Sequence, residues 1–112
     1  MIPSHFERFM QFVLAHTQNG DLQWGIGEGG SFVASHEDIT LIISSDYDPD
    51  RDINTFWFRL NGSTRSTPFS VSEKEQGYGL MKSIFEEVTA NANDVKSDME
   101  KFMAGFSRGT EV

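Results

Sequence analysis

The stretch Asp38-Ile39-Thr40-Leu41-Ile42-Ile43-Ser44-Ser45-Asp46-Tyr47-Asp48-Pro49-Asp50-Arg51-Asp52-Ile53-Asn54-Thr55-Phe56-Trp57-Phe58-Arg59-Leu60 decides how this chain folds. Ile39, Leu41 and Ile43 alternate with Thr40, Ile42 and Ser44, and Phe56, Phe58 and Leu60 alternate with Thr55, Trp57 and Arg59. A period of two in β-branched and aromatic residues marks strands with one face on a core. The span between them, Asp46 to Asp52, holds a proline and four carboxylates, so it reads as a solvated loop. The whole is a β-hairpin on which the other segments can be placed.

Upstream, Ser4 to Thr17 reads as a helix. Phe6, Phe9, Met10, Val13 and Leu14 share one face, Ser4 and Glu7 fit a capping box, and Asn19-Gly20 is a natural stop. Leu22, Trp24 and Ile26 alternate as a first strand, and Phe32-Val33-Ala34 follows a glycine turn as a second. Downstream, Asn61-Gly62 signals a tight turn, and Ser66 to Val71, interrupted by Pro68, fits an edge strand. Ser72 and Glu75 offer another capping box. Residues 80–106 are helical, with Leu80, Met81, Ile84, Phe85 and Val88 continued by Val95, Met99, Phe102, Met103 and Phe106. Asn91 to Asp94 leaves open whether this is one helix or two. The expected fold is α+β: an N-terminal helix, an antiparallel sheet of three to five strands, and a C-terminal helical region packed on one sheet face. Residues 1–106 form a single domain and 107–112 a frayed tail.

Ten phenylalanines and two tryptophans give 112 residues enough bulk for a core of their own. The absence of cysteine excludes disulfides, thiolate metal sites and a cysteine nucleophile. No apolar run approaches the length of a membrane span, so the expected location is cytoplasmic, without membrane contact. The net charge of -8 is unevenly distributed. Residues 21–52 hold eight acids (Asp21, Glu28, Glu37, Asp38, Asp46, Asp48, Asp50 and Asp52) against Arg51 alone. Such a one-signed field repels phosphates, arguing against direct nucleic-acid binding, and attracts basic surfaces.

Three motifs invite chemistry. Gly25-Ile26-Gly27-Glu28-Gly29-Gly30 matches G-x-G-x-x-G, but a dinucleotide loop must open a helix and a strand follows here, so no cofactor is expected. The alternating Asp46, Asp48, Asp50 and Asp52 lack the glycine and terminal glutamate of a calcium loop, so no metal is expected either. Ser35-His36-Glu37-Asp38 cannot act as a triad, because neighbours on a strand point to opposite faces. Trp57 and Arg59 share the face opposite the core and belong to residue types favoured at binding hot spots; Trp24 is expected beside them.

The layout resembles small proteins carried by bacterial phages and mobile elements, which run as a helix, a strand with Leu-x-Trp, an antiparallel meander and a terminal helical region. Leu22-Gln23-Trp24, Thr40 to Ile43 and Ile84 to Phe106 carry the resemblance, which supplies no site residue. The expected function is that of a non-enzymatic acidic binding protein of inhibitor or immunity (anti-defence) type. It would mask a basic, nucleic-acid-binding surface of a protein partner through Asp46, Asp48, Asp50, Asp52, Glu37, Asp38, Trp57 and Arg59. The alternative is a homodimeric chaperone or adaptor for a partner protein; a small enzyme has least support.

Overall fold

Two long strands, β3 (Ile39–Asp48) and β4 (Ile53–Asn61), pair antiparallel over nine register positions from Thr40↔Asn61 to Asp48↔Ile53. The computed structural model describes residues 1–110, with side chains through Phe106. The ladder runs further into the acidic segment than the sequence pattern suggests. Asp46 and Asp48 are strand residues, and only Pro49 to Asp52 form the turn. A carboxylate on an outward strand position stays hydrated while its backbone pairs, so acidity alone does not end a strand. The Asp48 side chain then shapes the turn by accepting the backbone N–H of Asp50 at 3.0 Å and of Arg51 at 3.4 Å.

Three more strands complete a five-stranded antiparallel meander in the order β1-β2-β3-β4-β5: β1 (Gly25–Ile26), β2 (Phe32–His36) and β5 (Ser66–Ser72). The glycine-rich segment between β1 and β2 forms a short turn with Gly29 and Gly30 at positive φ. Strand parity sorts the side chains. Ala34, Leu41, Ile43, Phe56, Phe58, Phe69 and Val71 point inward and are buried, with Ile43 opposite Phe58 and Phe58 opposite Phe69.

Helix α1 (Glu7–Gln18) and helix α2 (Tyr78–Ala92) cover that face. Phe6, just before α1, meets Phe58 at a ring separation of 6.2 Å and Phe69 at 5.1 Å, while Phe85 of α2 meets Phe56 at 5.3 Å and Phe32 at 5.7 Å. Met10, Val13, Met81, Ile84 and Val88 fill the space between. The helices thus bury the faces their spacing predicted.

The expected cap at Ser4 is replaced by backbone. Ser4–Phe6 is a 3-10 turn in which the Phe6 N–H donates to the Pro3 carbonyl at 2.9 Å, and the Ser4 side chain makes no capping bond. At Ser72 half of the box forms: Glu75 accepts the Ser72 N–H at 2.9 Å, but α2 begins only at Tyr78, after Gly77 at φ +93°.

Asp94, at φ +53°, separates α2 from a distinct helix α3 (Val95–Thr110). Here the structure departs from the expectation that 95–106 also covers the sheet. α3 packs against α2 and leaves Met99, Phe102, Met103 and Phe106 exposed, because the turn at Asn93-Asp94 redirects the chain at the end of the core. Its backbone continues to Thr110; the expected frayed tail otherwise lies outside the described residues. Among the described residues, no helix is long and apolar enough to cross a membrane.

Candidate functional site

Strand parity also creates the outward face. Trp57 and Arg59 of β4 project away from the helices, opposite Ser44 and Ile42 of β3 and Ser70 and Pro68 of β5. Trp57 is 47% exposed. Asp46 lies opposite Thr55, which places it diagonally from Trp57 at roughly 7–8 Å by sheet geometry. Asp48 continues the same row, and Asp50 and Asp52 sit in the adjoining turn. Six of the anticipated residues (Asp46, Asp48, Asp50, Asp52, Trp57 and Arg59) therefore occupy a continuous path from the hairpin end onto the outward face.

Glu37 and Asp38 do not belong to that path. They form the two-residue turn between β2 and β3, closed by the His36↔Ile39 pair. The ten residues of β3 separate this turn from Asp48 by about 30 Å at ~3.3 Å per residue. The acidic run of residues 21–52 is thus divided between two ends of the sheet, because the extended strand β3 holds its own two ends apart.

The hairpin end recruits a carboxylate that the sequence pattern does not single out. Glu73, just beyond β5, accepts the Asn54 N–H at 2.7 Å, and its own N–H donates to the Asn54 carbonyl at 3.2 Å. This fixes Glu73 beside the turn. Its only sequence signal is its position directly after an edge strand. The Tyr47 hydroxyl donates to Asp52 Oδ1 at 2.5 Å across the turn. That bond, followed by partial desolvation and the charges of Glu73 and Asp48, holds the Tyr47 phenol above its usual pKa. Nearby, Glu75 binds the Met1 ammonium at 2.6 Å and the Ser72 N–H, and both hold its carboxyl below the usual range.

Trp24, expected on the outward face, lies instead in the core at 5% exposure. Since Gly25 pairs with Val33 on the outward row, its neighbour Trp24 must point inward. Its indole N–H donates to the Thr17 hydroxyl at 3.0 Å.

The chemistry-bearing residues elsewhere are dispersed. Ser35 hydrogen-bonds Thr40 at 2.9 Å, His36 is 3.9 Å from Glu37 with both side chains in solvent, and His16 pairs with Asp21 at 3.0 Å. Among the described residues, no three His, Asp or Glu side chains converge as a metal would require. The aspartates are split between an outward row and a turn, so their carboxylates do not meet at one point. Comparison with family models, with curated proteins and with solved structures found no match.

Proposed function

We propose that the protein is a non-enzymatic binding protein of inhibitor or immunity type, which occludes a basic, nucleic-acid-binding surface of a protein partner from the cytoplasm in which both reside. The observation that carries this reading is the run of Asp46, Asp48, Asp50 and Asp52, with Glu73, from the β3–β4 end to the exposed Trp57. Carboxylates spaced along a strand and its turn supply negative groups to a surface adapted to phosphates. Trp57 and Arg59 then provide the aromatic and guanidinium contacts that give such an interface its affinity. Glu37 and Asp38, at the far end, add to the field without touching the same partner surface.

The test begins with capture of a stoichiometric basic partner from the native cell and proceeds by binding kinetics. Asp46, Asp48, Asp50 and Asp52 are replaced together by asparagine; in a control protein Glu7, Glu86 and Glu87 become glutamine and Asp94 becomes asparagine. The hairpin variant should associate roughly tenfold more slowly or worse, and with a flatter salt dependence, whereas the control stays near wild type. The partner's nucleic-acid ligand should compete with the wild-type protein. Equal losses in both variants would show that bulk charge alone matters and remove the hairpin from the reading.

The second reading, a homodimeric adaptor for a partner protein, is favoured by one feature, the apolar stripe that α3 leaves exposed.

A further inference from the structure

α3 carries an apolar stripe that the rest of the fold leaves uncovered. Val95, Met99, Phe102 and Phe106 follow a 4-3-4 spacing, the seam pattern of paired helices, with Met103 beside them. Met99 is 54% exposed, Phe102 69%, Met103 59% and Phe106 64%. The helix reaches away from the core: the radius of gyration is 16.6 Å, against roughly 13 Å for a compact chain of this length.

We propose that this stripe pairs with the same stripe of a second copy, the two α3 helices running antiparallel about a two-fold axis between Glu100 and Lys101. The inference is independent of the acidic reading, since the β3–β4 end and Trp57 lie on other elements and remain free in the dimer. Three observations identify the occupant as a second copy.

First, the seam is self-complementary. Under that axis Val95 lies level with Phe106 of the second copy, and Met99 with Phe102 of the second copy. Each contact sets a bulky aromatic against a smaller or more flexible side chain. A parallel pair would set Phe102 against Phe102 and Phe106 against Phe106, and would align rather than oppose the helix dipoles.

Second, the flanks carry balanced charges. Lys96 and Glu100 lie on one side of the stripe, Asp98 and Lys101 on the other. An antiparallel two-fold pairs each flank with itself, so on one side Asp98 comes within one helical turn of Lys101 of the second copy, while on the other Lys96 lies level with Gly105 of the second copy and meets no like charge. The acidic hairpin has no comparable balance, which makes α3 the part of this protein suited to self-association.

Third, the area suffices for a weak dimer. At these exposures the four side chains present roughly 500 Å² of apolar surface, near the upper limit tolerated on a monomer. Two copies would bury at most roughly 1,000 Å² together, at the lower edge of specific interfaces. A dissociation constant in the micromolar range or weaker follows, on the order of the weaker complexes of such size.

Sedimentation analysis of the full chain tests this. The weight-average mass of wild type should climb from 12.6 kDa toward twice that value between roughly 10 and 500 µM, the range in which such an interface assembles. Phe102→Asp should remain monomeric throughout with an unchanged helical circular dichroism signal; if that variant loses the signal, Phe106→Ser takes its place. Since the chain has no cysteine, orientation can be read by cross-linking. Mixed Met99→Cys and Phe102→Cys proteins should oxidise chiefly to the 99–102 heterodimer. Wild type that stays monomeric, a dimer indifferent to Phe102→Asp, or predominance of 99–99 and 102–102 products would each overturn the proposal.

Discussion

The side-chain carbonyl of Asn91 accepts the backbone N–H of Trp24 at 2.8 Å, joining positions 67 residues apart. The same amide donates through Nδ2 to the carbonyls of Leu22 at 2.9 Å and Thr17 at 3.3 Å. One asparagine near the end of α2 therefore satisfies the backbone of the segment linking α1 to β1, where no regular ladder exists to do so. It also seats Trp24, whose indole is held by Thr17.

Removing that amide should be costly for a residue that looks unremarkable in sequence. Asn91→Ala is expected to lower stability by about 2–4 kcal/mol, since it leaves the partly buried Trp24 N–H and Leu22 carbonyl without partners, whereas the Thr17 carbonyl keeps the Gly20 N–H. Trp24 fluorescence should shift to the red in the native baseline. Urea titration followed by that fluorescence measures both, and a loss below about 1 kcal/mol would indicate that water replaces the amide fully.

Phe58 and Trp57 are neighbours on β4 with opposite fates. Phe58→Ala should cost about 3–5 kcal/mol as a core truncation, because Phe58 is almost fully buried between Phe6, Phe9 and Phe69. Trp57→Ser should cost less than about 1 kcal/mol, in keeping with an exposed strand position. Chemical denaturation of the pair tests the assignment of the two sheet faces, and reversed magnitudes would refute it.

Gly77 combines two constraints. It holds φ +93°, and a Cβ there would lie 2.9 Å from both Cδ1 and Cγ1 of the buried Ile2. Gly77→Ala should therefore destabilise by roughly 2 kcal/mol, the sum of backbone strain and displaced packing. Gly79→Ala, inside α2 with open space around it, should be neutral or stabilising by up to about 1 kcal/mol. Thermal denaturation of both variants separates the position from the residue type.

The Tyr47–Asp52 bond predicts a pH dependence at the alkaline end. Because the folded-state pKa of Tyr47 is raised above its unfolded value, chiefly by the Asp52 hydrogen bond, its contribution to stability is complete below the unfolded pKa. It is lost as pH rises through the folded one. Spectrophotometric titration near 295 nm should show one of the two tyrosines ionising above the ordinary tyrosine range. Asp52→Asn should bring that ionisation down toward the ordinary value; an unchanged titration would mean that the bond does not persist in solution.

Strand and helix periodicity determined most of the architecture from the sequence alone. Ile39 to Ile43 and Phe56 to Leu60 announced a hairpin with an apolar face, and Phe6 to Val13 and Met81 to Val88 announced the helices that cover it. These features are legible because a side chain's face follows from its position within a short repeating element. The same parity placed Trp57 and Arg59 outward. Where the sequence misled, the deciding partner was distant or the rule was local chemistry without its neighbours. Asp46 and Asp48 looked like loop residues, yet the ladder with Ile53 to Thr55 makes them strand. Trp24 looked like a companion of Trp57 until the Gly25↔Val33 pairing fixed its parity. The eight acids of residues 21–52 looked like one patch until β3 set its two ends apart. Val95 to Phe106 looked like a continuation of the core-facing helix, and only the turn at Asp94 turned that stripe toward solvent. Local spacing settles which faces are apolar; what covers each face depends on contacts between residues far apart in the chain, and those exist only once the tertiary structure has formed.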